Sequence, residues 1–133
     1  MSEAEVEVVR QAAKAYSERG AEAVVQFLDP DVEWRARPDL PDGGVYHGAE
    51  GFLRLTGRFD EVLEDIYLEP VEIVDAGERV IARLRWGGRG KGSGVEFEET
   101  EETWVFTIRG GKIARVDEFA TKQEALAAAG ISG

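Results

Sequence analysis

The stretch GGKIARVDEFATKQEALAAAG, residues 110–130, decides the fold. Gly110-Gly111 is a two-residue hairpin signal, and Lys112–Ala120 after it reads as a strand. Thr121 with Glu124 forms a capping box, and the short helix Ala125–Ala129 that follows ends at Gly130. Side chains alternate along a strand, so this hairpin also assigns faces. Pairing Arg109 with Lys112 places Ile108, Ile113, Phe106, Arg115, Trp104, Asp117 and Phe119 on one face. Arg109, Lys112, Thr107, Ala114, Val105, Val116 and Glu118 fall on the other. The first face is aromatic and apolar, so it is expected to be the concave one, with Asp117 and Arg115 as its polar exceptions. A carboxylate among Trp104, Phe106 and Phe119 should have its pKa raised by desolvation unless Arg115 compensates. That is how a carboxylate becomes a usable acid or base near neutral pH. The alternative is a structural Asp117, paired with Arg115 or capping the final helix.

Working outward, the segment Ile66–Ala120 reads as antiparallel strands. Tyr67–Val74 turns at Asp75–Glu78 into Arg79–Trp86, and the glycine-rich Gly87–Gly94 reverses the chain into Val95–Ile108. Folding that hairpin symmetrically about Arg89–Gly92 sets Arg85 opposite Glu96, Arg83 opposite Glu98 and Arg79 opposite Glu102, as cross-strand charge pairs. A slip of one residue would instead send these arginines to solvent and bring Val80, Ala82, Leu84 and Trp86 inward. Before the strands, Ser2 and Glu5 form a capping box, and Val6, Val9, Ala13 and Tyr16 recur at helical spacing up to Gly20. A second short helix carries Val24, Phe27 and Leu28. Val32–Arg37 reads as a strand containing Trp34, Pro38–Gly48 as a loop, and Ala49–Asp65 as a third helix with Phe52, Leu55, Phe59 and Val62 in its stripe. The order is α+β, with helices on one face of a curved antiparallel sheet.

The composition narrows the function. The chain has 133 residues, with 16 basic and 27 acidic side chains and a net charge of −11, which suits one soluble domain over residues 1–133. With no cysteine there is no disulfide, thiolate metal site or cysteine nucleophile. One histidine, His47, gives no His-cluster metal site, so no metal and no cofactor is expected; His47 itself is expected to pack or cap at the entry to the third helix. Strong acidity disfavours nucleic acid, and no apolar run approaches the roughly 20 residues that span a bilayer. The N-terminus is acidic where a signal peptide is basic, so a cytoplasmic protein is expected. The run GGRGKGSG (87–94) lacks a Ser or Thr after its Gly-Lys, so it reads as a hairpin loop and not as a phosphate cradle.

Four segments together resemble the nuclear-transport-factor-2-like superfamily, in its SnoaL-like polyketide cyclase branch. They are AEAVVQFLDPDVEWRARP (21–38), YHGAEGFLRL (46–55), RGKGSGVEFEE (89–99) and the stretch 110–130. The resemblance covers roughly residues 3–131. It implies a cone-shaped barrel whose curved antiparallel sheet packs on three helices from the N-terminal half, with a short C-terminal helix, around one apolar pocket. Members include ketosteroid isomerases, limonene-epoxide hydrolases and polyketide cyclases, so the fold does not fix a reaction. Asp117 sits where the epoxide hydrolases place a water-activating aspartate, and Arg83 where they carry an arginine that helps hold their acids. Their second acid, two residues on, is Arg85 here. The isomerase base would fall near Trp34, where no carboxylate stands; Tyr16 lies near the isomerase tyrosine but about one turn away.

The resulting expectation has two branches. In one, the protein holds a small apolar or amphipathic molecule, and Asp117, Arg115 and Arg83 support hydrolysis, cyclisation or isomerisation, epoxide-hydrolase-like or polyketide-cyclase-like. In the other, the same fold is a non-catalytic ligand-binding or dimerisation module with Asp117 structural. Tyr16, Trp34, Phe52, Phe59, Trp104, Phe106 and Phe119 are candidate pocket walls in both. Val105, Val116, Leu84, Trp86, Val95 and Phe97 are expected to form an apolar patch on the back of the sheet, and a homodimer is expected to cover it.

Overall fold

The structure is a computed structural model. It describes residues 2–41 and 43–130, with the side chains of Ser2 and Glu98 outside that description. The Ser2–Glu5 capping box therefore lies outside the described residues.

Helix α1 (Ser2–Arg19) carries Glu3 and Glu5 in its first turn and Arg19 in its last, the charge order that suits a helix dipole. Val9, Ala12, Ala13 and Ala15 are its buried residues. A 3-10 helix (Ala21–Phe27) leads into strand β1 (Leu28–Ala36). Strand β2 (Gly44–His47), helix α2 (Gly48–Asp60), strands β3 (Leu63–Ala76), β4 (Arg79–Gly90), β5 (Glu96–Arg109) and β6 (Lys112–Phe119), and helix α3 (Lys122–Ala128) follow. The sheet order is β2-β1-β6-β5-β4-β3, with β1 parallel to β6 and every other pair antiparallel. The main core lies between the concave face of this curved, unclosed sheet and α1, the 3-10 helix and α2. On the outer face, α3 covers a smaller cluster of Ile81, Val105 and Ala125, with Phe119 packed against it. Its Thr121–Glu124 capping box is present in both directions.

Boundaries differ from the sequence reading where tertiary packing overrides local pattern. Strand β1 starts four residues early and contains Pro30, which sits in the irregular stretch between the Leu28 and Glu33 pairings, where a strand tolerates a missing donor. Part of the expected loop 38–48 becomes β2, because its backbone completes the open edge of β1. Helix α2 ends at Asp60 and not at Asp65: Val62 is 60% exposed while Leu63 is buried and starts β3. Gly87 and Gly88 are buried strand residues, not turn residues. A Cβ on Gly88 would lie 3.0 Å from the Glu64 carbonyl oxygen, so glycine here lets β3 cross close.

Two registers are corrected. Gly110 and Gly111 have φ of 56° and 77°, the paired positive values of a tight hairpin turn, and Arg109 does pair with Lys112 and Ile108 with Ile113. The ladder then shifts, so that Thr107 pairs with Arg115 and Trp104 with Glu118. One extra residue at Ala114 accounts for it. Ile113 and Val116 are both essentially fully buried, yet an odd spacing of three would put them on opposite faces of a regular strand. The bulge brings both inward and reverses the parity of everything after it.

In the second ladder Arg85 pairs with Glu101 and Arg83 with Thr103, not with Glu96 and Glu98. Val80, Ala82 and Leu84 are buried in the core, and the arginines point outward, as in the slipped alternative. There Arg83 meets Glu101 at 2.8 Å, Arg85 meets Glu69 at 2.5 Å and Arg89 meets Asp65 at 2.5 Å. Each pair is partly exposed and contributes little to stability. The expected apolar back patch is therefore not assembled. Leu84, Trp86 and Val116 face the interior, Val105 lies under α3, and only Val95 and Phe97 are exposed.

Candidate active site

The concave face and the three helices leave a cavity of about 360 Å³, within the range that small-molecule sites occupy. Alternation along β5 directs Glu102, Trp104 and Phe106 into it. The bulge in β6 adds Ile113 and Glu118, β4 supplies Leu84 and Trp86, and β1 supplies Trp34 and Ala36. Helix α1 contributes Val9 and Tyr16, helix α2 contributes Phe52, Leu55, Thr56 and Phe59, and the segment after β1 contributes Arg37 and Leu40. Most of this wall is apolar. Leu40 and Phe97, 39% and 38% exposed, mark the side open to solvent.

The charged groups of the wall gather at one place. Glu118 accepts a hydrogen bond from the Trp34 indole N–H at 2.7 Å and from the Arg37 main-chain N–H at 3.3 Å. Glu102, buried at 4% exposure, accepts from the Trp104 indole at 2.8 Å and from the Arg37 guanidinium at 3.1 Å. The two indoles stand edge to face, with centroids 5.6 Å apart, and Phe52 packs on Trp34 at 5.0 Å. Burial pushes the Glu118 carboxyl up from 4.5 to about 7, and the neighbouring charge of Glu102 adds to the rise; the Trp34 and Arg37 contacts oppose it. A carboxyl balanced there both donates and accepts a proton at neutral pH. On α1, burial and the charge of Asp60 push the Tyr16 hydroxyl up to about 12, so it stays protonated. Thr56 spends its hydroxyl on the Phe52 and Leu53 carbonyls of its own helix.

The acid expected at Asp117 is one residue away from where the structure puts the cavity carboxylate. Asp117 lies on the outer face, held by Arg115 through contacts of 2.8 and 3.1 Å. Arg35 and Glu33 complete that ion cluster, with Glu33 at 2.5 Å from Arg35. Asp117 is thus ion-paired with Arg115 and turned away from the cavity. Arg83 is also on the outer face, between Glu72 and Glu101, and none of Asp117, Arg115 and Arg83 lines the cavity. Of the expected wall residues, Tyr16, Trp34, Phe52, Phe59, Trp104 and Phe106 line it and Phe119 does not; the bulge turns Phe119 out toward α3.

The sequence reading missed Glu118, Glu102 and Arg37. A signal existed for Glu102, which shares strand parity with Trp104, Phe106 and Ile108. Glu118 had no such signal, because its face is set by the bulge at Ala114. Among the described residues no group of three or more acidic or histidine side chains could hold a metal ion, and no helix is long and apolar enough to cross a membrane.

A family model described as a SnoaL-like domain matches residues 9–116. The chain belongs to the SnoaL-like domain family. The matched SnoaL-like region stops two residues short of Glu118. No curated protein matches the sequence. Solved structures do share the fold. A protein from Catenulispora acidiphila with a ketosteroid isomerase-like fold, in complex with trimethylamine, is 21% identical, with 95% of this chain and 94% of that one covered and a TM-score of 0.74. TerC co-crystallised with polyporic acid is 21% identical over 93% and 98% of the two chains, with a TM-score of 0.76. A putative polyketide cyclase from Sinorhizobium meliloti is 22% identical over 84% and 93%, with a TM-score of 0.66. At these identities the likeness is one of fold.

Proposed function

We propose that this SnoaL-like protein binds a small, neutral, lipophilic molecule in the cavity and that Glu118 exchanges a proton with it. The observation that carries this reading is the Glu118 carboxyl set in a mostly apolar wall, hydrogen-bonded to the Trp34 indole and pushed by burial up to about 7. A buried carboxyl is kept near neutrality when its task is proton transfer, because an ordinary carboxylate is too weak a base and almost never protonated at pH 7. The charge balance of the wall argues for a neutral ligand. Two carboxylates face one guanidinium there, and that guanidinium is spent on Glu102 and on Asp39. An anion would meet repulsion with no free cation to receive it. The apolar area supplies binding, and Glu118 supplies a group that both gives and takes a proton near pH 7. Hydrolysis, cyclisation and isomerisation of a polyketide, terpenoid epoxide or related ring each need such a group. The kinship in fold with a putative polyketide cyclase supports the same class.

The test compares wild type with Glu118→Gln in a thermal-shift panel of small epoxides, steroid-like rings and aromatic polyketides, with product analysis on each hit. A ligand that stabilises both proteins and is converted only by wild type is the expected result. Ligands that stabilise both without product would move the protein to the non-catalytic branch. Conversion by Glu118→Gln at the wild-type rate would remove Glu118 from the reaction.

A further inference from the structure

We propose that Arg37 is a positioning residue of this site: it fixes both carboxylates of the cavity, Glu118 through its main-chain N–H and Glu102 through its guanidinium, and so sets which of them exchanges a proton with a ligand. The proposal rests on the reading of Glu118 given above and adds the device that makes Glu118, and not Glu102, the exchanging group.

The two carboxylates receive different kinds of partner. Glu102 takes a cation and an indole, from Arg37 and Trp104. Glu118 takes two neutral donors, the Trp34 indole and the Arg37 amide. An ion pair with a guanidinium favours the ionised form of a carboxyl more than a hydrogen bond from a neutral donor does. The side chain of Arg37 has no freedom to change sides. It is 14% exposed, and its remaining nitrogens reach Asp39 at 3.1 and 2.6 Å. Its backbone is fixed as well, by the end of β1 before it and by the turn after it, in which the Leu40 N–H donates to the Arg37 carbonyl at 3.2 Å. One residue therefore bridges Glu118, near the end of β6, and the buried Glu102 of β5.

The charged groups near Glu118 come from few elements. Arg37 and its partner Asp39 stand on the segment after β1, and Glu102 on β5. Tyr16 faces the cavity from α1, and among the described residues α2, β3 and β4 add no charged side chain to the wall. The charge of Glu102 raises the Glu118 titration and that of Arg37 lowers it. Removing the guanidinium deletes the lowering influence and leaves the charge of Glu102 unopposed, so the midpoint must rise. Removing the charge of Glu102 leaves Arg37 acting on Glu118 alone, so the midpoint must fall. Opposite shifts from two residues that touch each other are not produced by a general loosening of the fold.

The experiment follows the side-chain carboxyl carbons of glutamate in carbon-13-labelled protein by NMR across pH, taking as Glu118 the resonance missing from Glu118→Gln. Arg37→Met is expected to move the Glu118 midpoint up, because it removes the one nearby positive charge that lowers it. Glu102→Gln is expected to move it down, and Arg37→Lys, which keeps the charge, to return it most of the way toward wild type. Shifts of one sign in Arg37→Met and Glu102→Gln, or none in either, would overturn the proposal. If Arg37→Met does not fold, Arg37→Gln is compared with Arg37→Lys in its place: equal Glu118 midpoints in the two overturn the proposal. These midpoints are read without turnover. Loss of the Glu118 reading through an active Glu118→Gln therefore registers separately from loss of the Arg37 proposal.

Discussion

Glu118→Gln is expected to make the protein more stable at pH 8, and this gain should shrink toward pH 5. The reasoning is one of linkage. The Glu118 carboxyl titrates at about 7 in the folded protein and at about 4.5 as a free side chain. A group whose folded value is raised contributes stability that is fully present below 4.5 and is lost as pH rises through about 7. Above that window the folded protein carries a buried carboxylate with only neutral donors on it. The cost is about 1.4 kcal/mol for each pH unit between the two values, so on the order of 3 kcal/mol at pH 8. Glutamine keeps an oxygen for the Trp34 indole and never ionises, so that cost disappears. Urea unfolding of both proteins at pH 5 and pH 8 measures it directly. An equal difference at the two pH values would mean that Glu118 does not titrate in this window in the folded state. Under the proposed function, such a gain would be the usual trade between stability and activity.

How far the sequence could be read follows from what each signal encodes. The Gly110-Gly111 hairpin, the Thr121–Glu124 cap and the helical stripes Val9–Tyr16 and Phe52–Phe59 are local, and the structure keeps all of them. The wall aromatics were legible for a related reason. Trp34, Phe52, Trp104 and Phe106 are the bulkiest apolar residues of elements that must bury one face. The acid was not legible because a bulge is a tertiary compromise. At Ala114 one residue is looped out so that Ile113 and Val116 can both be buried, and no turn residue marks it. That single residue exchanges Asp117 for Glu118 and sends Phe119 from the cavity to α3. The same blindness affected the 79–102 hairpin. Gly87 and Gly88 look like turn residues, but they serve the close crossing of β3, and the real turn lies beyond Gly90. Arg37 was hidden differently. Its role depends on Glu102, which is 65 positions away, and nothing near Arg37 in the sequence announces that partner.

Trp104 gives the second large effect, because one side chain serves both the core and the polar cluster. Its ring is 9% exposed and packs against Trp34 and Phe106, at 5.6 and 6.1 Å between centroids. Its N–H is one of the two contacts that hold Glu102. Trp104→Phe preserves most of the apolar bulk and removes only the donor. A buried carboxylate oxygen then loses its partner, which costs about 1–3 kcal/mol. Trp104→Ala removes the ring as well and opens the wall, for a total of about 3–5 kcal/mol. Urea unfolding separates the two contributions, with Arg85→Ala as a reference expected to stay within about 1 kcal/mol, because its ion pairs lie on the partly exposed outer face. A Phe variant as stable as wild type would mean that water or Arg37 replaces the indole on Glu102. The cluster would then be held by Arg37 alone, and the weight of the site would shift from the aromatic wall to the segment after β1. A Phe variant that loses most of what the Ala variant loses would mean the reverse. The indole N–H, more than the ring, would be what keeps Glu102 buried beside Glu118, and the aromatic wall would be part of the polar site.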